Sequence, residues 1–144
     1  MRYLLVDAHS VIFAWPELRA LHARRTSLAR DELVKRLISY QDVSNYRVVA
    51  VFDGQGSKNS DSTTPSGIQV FYSSAQSTAD SIIERLVAKY GAHYDMTVVT
   101  NDRMEQQTAS TFGALAISVE LFLKWLGEAD QEVQKELKKL RRKR

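Results

Sequence analysis

Leu4-Leu5-Val6-Asp7, Val49-Ala50-Val51-Phe52-Asp53 and Val98-Val99-Thr100-Asn101-Asp102 follow one plan, in which a few apolar residues run almost directly into an acid. Short runs of nearly continuous apolar character suit strands covered on both faces, as in a parallel sheet packed under helices. Strands of a parallel sheet point the same way, so the three acids are expected along one carboxyl edge, where open α/β sheets hold their ligands. Crowded carboxylates repel one another, and a divalent cation with a preference for oxygen relieves that repulsion.

Helical patterns alternate with these strands. Val11–Leu21 reads as a short helix interrupted at Trp15-Pro16, since proline suits a first turn but not a helix interior. A second helix starts near Ser27 and runs to Val43, where Leu33, Val34, Leu37 and Ile38 draw one apolar stripe. Tyr46–Phe52 is a valine-rich strand, Ile68–Tyr72 a short one, and Thr78–Tyr90 a helix with Ile82, Ile83, Leu86, Val87 and Tyr90 inward. Met96–Thr100 reads as strand, Arg103–Thr111 as a helix closed near Gly113, Leu115–Ile117 as strand, and Val119–Leu126 as a helix ended by Gly127. Between them Asp53–Gly67 has no apolar residue to pack and reads as a loop at the acidic edge, either a lid or binding segment or plain disorder. The alternation predicts an α/β fold with a parallel sheet of four or five strands flanked by helices.

A chain of 144 residues with 44% hydrophobic content suits one domain with a real core. The absence of cysteine excludes disulfides, thiolate catalysis and cysteine-ligated metals, and points to a reducing compartment. The first apolar run is far too short for a signal peptide or a membrane span, so a soluble, cytoplasmic protein without membrane contact is expected. The net charge of +3 is uneven: Gln134–Arg144 carries +6 and the remainder −3. The natural division is residues 1–127 as the folded domain and 128–144 as a basic helical tail, suited to a polyanion or simply solvated.

Each acid also has an ordinary explanation. Ser77-Thr78-Ala79-Asp80 fits a capping box, Asp53-Gly54 is a common turn pair, and Asn101-Asp102 could cap the helix that follows. Their joint placement favours a metal site instead, suited to one- or two-metal hydrolysis of a phosphodiester. Glu84, one turn after Asp80, could add an outer ligand or pair with Arg85 or Lys89. His9, His22 and His93 lack metal-ligand spacing, and there is no Gly-x-Ser-x-Gly elbow, complete phosphate loop or glycine-rich dinucleotide turn.

Leu5-Val6-Asp7-Ala8-His9-Ser10-Val11-Ile12, Val51-Phe52-Asp53, Thr78-Ala79-Asp80 with Glu84, and Val99-Thr100-Asn101-Asp102 followed by Glu105-Gln106 and Gly113-Ala114 resemble the YacP-like branch of the NYN domains over about Arg2–Leu126. The resemblance implies a PIN-like three-layer fold and an endoribonuclease dependent on Mg²⁺ or Mn²⁺, whose bacterial relatives act on messenger RNA at the ribosome. Carried onto this chain, it makes Asp7, Asp80 and Asp102 the catalytic, metal-holding acids and Asp53 a peripheral one. The family's usual Asp-Gly-Tyr-Asn is here Asp7-Ala8-His9-Ser10, which keeps the acid but alters substrate positioning. Ser10, His9, Asn101, Arg103 and Lys58 are the expected substrate contacts, although Arg103 could instead pair with Glu105 or Asp102. The rival reading is a non-catalytic RNA- or ribosome-binding adaptor, for which the stripe Val133, Leu137 and Leu140 among basic residues speaks. A small phosphatase or DNA nuclease would share the same metal site.

Overall fold

The protein is described here by a computed structural model over residues 1–56, 60–63, 67–74 and 77–143. In chain order the elements are β1 (Arg2–Asp7), α1 (Ala8–Ala14), α2 (Pro16–Arg24), α3 (Thr26–Val43), β2 (Tyr46–Gly56), β3 (Ser60–Thr63), β4 (Gln69–Ser74), α4 (Ala79–Tyr90), β5 (Asp95–Val99), α5 (Arg103–Thr111), β6 (Leu115–Ile117) and α6 (Val119–Arg142). The described strands form one sheet in the order β3-β4-β2-β1-β5-β6. Five of them are parallel, and β3 joins antiparallel to β4 at the edge.

Leu4, Leu5 and Val6 are fully buried because β1 lies between β2 and β5 and is covered on both faces. Leu4 and Val6 face a core with Leu18, Leu33, Leu37 and Phe122, supplied by α2, α3 and α6. Leu5 faces the opposite core with Val51, Ile82, Ile83, Val87 and Val98, where α4 supplies the helical side. The alternation of neighbours along one strand thus fills two layers, as strand geometry requires. From β1 the chain next joins the sheet on one side, at β2, and later on the other, at β5. The strand order reverses there, and the carboxyl ends of β1 and β5 are thus the point at which doubly wound sheets hold their ligands.

Local sequence explains most boundaries. Trp15 adopts an extended conformation and Pro16 opens α2, so the expected interruption separates two helices. Gly113 at φ +92° ends α5, with the Gly113 and Ala114 amides donating to the Ser110 and Ala109 carbonyls. Two expectations need correction. The segment expected as a loop over Asp53–Gly67 instead continues β2 to Gly56 and contributes β3, while residues 57–59 and 64–66 lie outside the described residues. Pairing with β4 explains this: backbone hydrogen bonds of a sheet edge need no apolar side chains, and a Cβ at Gly54 would collide with the Ser73 carbonyl oxygen. The second correction concerns Gly127, which does not end the last helix, for α6 runs through it to Arg142. A helix-interior glycine costs only about 1 kcal/mol, less than the packing of Phe122 and its neighbours provides.

Only the first part of α6 is held by the core, with Val119 and Phe122 buried and Leu140 left 64% exposed. Phe122→Ala is expected to lower stability to urea by about 3–5 kcal/mol. Leu140→Ala should change it by no more than about 0.5 kcal/mol, and equal losses at both positions would show that the whole helix docks.

Candidate metal centre

β1 ends by presenting Asp7 at this carboxyl edge, where it is 4% exposed. Its Oδ1 accepts from the Ser10 amide at 3.5 Å, capping α1, and its Oδ2 accepts from Ser10 Oγ at 3.1 Å. The neighbouring strand β5 leads into Thr100, whose buried Oγ1 stands 3.2 Å from Asp7 Oδ2 and 2.9 Å from Glu105 Oε2. Oγ1 also lies 3.2 Å from Ser10 Oγ and accepts from the Asp102 amide at 3.1 Å. A hydroxyl has one proton to donate, so Thr100 cannot satisfy both carboxylates at once.

Asp80 reaches this point from the opposite helical layer. Thr78, not Ser77, caps α4 by accepting from the Ser81 amide at 3.2 Å. Asp80 is therefore the second helical residue and not the cap. One oxygen each from Asp7, Asp80 and Glu105 lies within 4.8 Å of the others. Glu105 Oε1 is buried and has no hydrogen-bond partner.

The electrostatics follow from this crowding. Burial pushes the Glu105 carboxyl up to about 10, with the facing Asp80 carboxyl and the charge of Asp7 adding to it. Burial likewise holds Asp80 above the usual carboxylate range; the charges of Asp7 and Asp102 act in the same sense, and the facing Glu105 opposes them. An all-oxygen set with a buried, unpartnered oxygen fits a hard divalent cation such as Mg²⁺ or Mn²⁺, and not a soft metal.

The other expected site residues fall into three groups. Asp102 caps α5, its Oδ1 accepting from the Met104 and Glu105 amides at 2.9 and 3.3 Å, and it stands beside Asp80 without joining the three converging oxygens. Asp53 ties β2 to α4, its Oδ1 accepting from the Ala79 amide at 2.9 Å. Asn101 donates its amide to Ser10 Oγ at 3.3 Å, and its Oδ1 accepts from the Val119 amide at 2.9 Å, which fastens α6 to the site. Ser10 is thus inside the cluster, while His9 is exposed beside it on α1. Glu84 and Arg103 are exposed and make no ion pair among the described residues, and Lys58 lies outside them.

Glu105 is the residue that the strand-end pattern does not single out. Three residues after a capping Asp102 it occupies the position of a capping-box acid. The structure turns it inward instead, on the buried side of α5 with Ala109. A carboxyl whose folded pKa of about 10 exceeds its usual 4.5 contributes stability that is complete below 4.5 and lost as the pH climbs toward 10. Metal-free Glu105→Gln, which imitates the protonated acid, is therefore expected to melt higher than the parent protein at pH 8 and to lose stability less steeply between pH 5 and 9. Added Mg²⁺ or Mn²⁺ should raise the melting temperature of the parent alone. Parallel pH profiles for the two proteins would remove Glu105 from the centre.

Sequence and fold give the chain its relatives. The family model described as the YacP-like NYN domain matches residues 4–144. The chain is 31% identical over 142 residues to the uncharacterized protein YacP of Bacillus subtilis (strain 168), covering 97% of this chain and 84% of that protein. Two crystal structures of Rae1 (YacP) from Bacillus subtilis are similar to it, one of them of a mutant. The mutant superimposes with a TM-score of 0.81 at 29% identity, over 96% of this chain and 82% of the other. The second gives 0.79 at 30% identity, over 97% and 82%. The chain belongs to the YacP-like NYN domain family, within the PIN-like nuclease superfamily.

Proposed function

We propose that this protein is a metal-dependent endoribonuclease that hydrolyses phosphodiester bonds of RNA, with messenger RNA at the ribosome as its setting. The observation that carries the reading is the convergence of one carboxylate oxygen each from Asp7, Asp80 and Glu105 within 4.8 Å, with Glu105 Oε1 buried and without a partner. Membership of a nuclease superfamily supports the same chemistry. Asp7, Asp80 and Glu105 are the residues that would hold Mg²⁺ or Mn²⁺. Such an ion, when bound, supplies charge neutralisation for a phosphodiester and acidity for an attacking water.

The protein's own groups do the rest. Ser10 and Thr100 fix the orientation of Asp7 by hydrogen bonds of 3.1 and 3.2 Å to Oδ2, as supporting groups do for ligands in metal sites. Asp102 aims Glu105 by capping the helix that carries it. Arg103, exposed next to Asp102, is available to a phosphate of the substrate, which must be drawn to an acidic site by flanking cations. The end of α6 offers further cations: Lys138, Arg141, Arg142 and Lys143 form no ion pair among the described residues, whereas Lys135 and Lys139 lean on Glu132 and Glu136. That basic end is the part of the chain suited to ribosomal RNA. Among the described residues no helix is long and apolar enough to cross a membrane.

Purified protein is expected to cleave single-stranded or ribosome-bound RNA only with Mg²⁺ or Mn²⁺, and Asp7→Asn to reduce the rate by at least about 100-fold without unfolding. Glu105→Gln should be nearly as damaging. Asp102→Asn should cost less, because asparagine caps a helix about as well as aspartate. Binding without metal-dependent cleavage would convert the reading to an RNA-binding adaptor. Deleting residues 134–144 is expected to weaken RNA or ribosome binding and flatten its salt dependence; an unchanged salt slope would make this end of α6 a merely solvated helix.

A further inference from the structure

The ring of His9 lies 4.5 Å from that of Phe13, and the ring of Phe13 lies 4.8 Å from that of His22. The three rings form a ladder that starts two residues from Asp7, follows α1 and crosses to α2. Core packing does not account for it. The buried residues of α1 are Ala8, Val11 and Ile12, whereas His9 is exposed, Phe13 is 41% exposed and His22 is half-buried. Exposed aromatic rings are unfavourable in water, and a run of them beside a site is a surface that a flat apolar ligand would cover.

The charge alongside this ladder is one-sided. Residues 19–30 contain Arg19, Arg24, Arg25 and Arg30 and no acid. Arg19, Arg24 and Arg25 are exposed and unpaired with any carboxylate among the described residues. Arg30 is held at the carboxyl end of β2, with its guanidinium 5.6 and 5.7 Å from the Phe52 and Tyr72 ring centres and a 2.7 Å hydrogen bond to the Asp53 carbonyl. The corner between α2 and α3 is therefore cationic, and it stands on the same edge of the sheet as the carboxylates. Rings and guanidinium groups together match an unpaired polynucleotide, whose bases have free faces and whose phosphates recur along the strand. A duplex does not fit, because its bases already stack on one another.

Building on the nuclease reading of the metal centre, we propose that His9, Phe13 and His22 are a stacking track for the bases of an unpaired strand. Arg24, Arg25 and Arg30 hold its phosphates, and the track leads the strand to Asp7, Asp80 and Glu105. The proposal locates substrate capture on α1, α2 and the start of α3, apart from the basic end of α6.

Binding of a fluorescent twelve-nucleotide oligouridylate, measured in EDTA so that cleavage plays no part, tests this. Phe13→Ala and Phe13→Leu are both expected to weaken binding by about 5-fold to 100-fold, since stacking is lost in each, and Phe13→Tyr to restore it. The Arg24→Ala, Arg25→Ala double variant should lower the slope of log affinity against log salt by about 1.4, the value for two phosphates of a single strand. A thymidylate of equal length tells whether the track accepts DNA as well as RNA, and either strand supports it if the Phe13 variants lose that binding. Parent-like binding by both Phe13→Ala and Phe13→Leu, with unchanged melting temperatures, would overturn the track while leaving the nuclease reading intact. Absence of binding to any strand by the parent protein, together with no metal-dependent cleavage, would remove both.

Discussion

A single hydroxyl proton, that of Thr100, faces two carboxylates, Asp7 and Glu105, at 3.2 and 2.9 Å. This shortage of donors is the constraint around which the edge of the sheet is organised. β1 and β5 are neighbours, so Asp7 and Thr100 come together by strand pairing, and α5 then delivers Glu105 from above. Three acids from three elements converge where only one small donor is shared, and the protein can tolerate this either by keeping Glu105 protonated or by taking up a cation. Without a cation, the fold keeps a buried polar group, Glu105 Oε1, without a partner, which folded proteins seldom do away from a functional site.

The acids around the cluster explain how such an arrangement is held. Asp102 caps α5, Asp53 fastens β2 to the first residue of α4, and Asn101 fastens the first residue of α6. A cap contributes about 1 kcal/mol, so these bonds together stiffen the frame more than they stabilise the whole fold. Their positions matter more than their energies: α4 and α5 are the helices that carry Asp80 and Glu105. Structural and functional explanations of the strand-end acids are thus both realised, in different residues of one network.

Charge is arranged at two scales. At the carboxyl edge of the sheet the carboxylates make a local negative centre, while the α2–α3 corner and the end of α6 are basic. A polyanion can approach such an edge only where cations flank it, so the distribution of arginine and lysine bears on function even though the net charge of +3 is small. The ion pairs Lys135–Glu132 and Lys139–Glu136 are exposed, and pairs of that kind add little to stability; their effect is to mute part of the basic end of α6.

Apolar runs and helical stripes are properties of neighbouring residues, and so β1, β2, β5 and the inward faces of α3 and α4 could be read from the chain alone. So could the break at Trp15-Pro16 and the close of α5 at Gly113, because proline and a left-handed glycine act locally. The chain by itself also determined that the acids would gather at one edge, since parallel strands leave no other direction. What it could not decide was which acids meet. Asp102 and Glu105 sit one turn apart on the same helix, and the identity of the inward one depends on the angle at which α5 packs on the sheet. The continuation of α6 through Gly127 and the pairing of β3 with β4 likewise depend on contacts distant in sequence. Tertiary packing decided these points, for the reason that a helix rotation or a sheet edge is fixed by its neighbours in space and leaves no periodic mark among its neighbours in the chain.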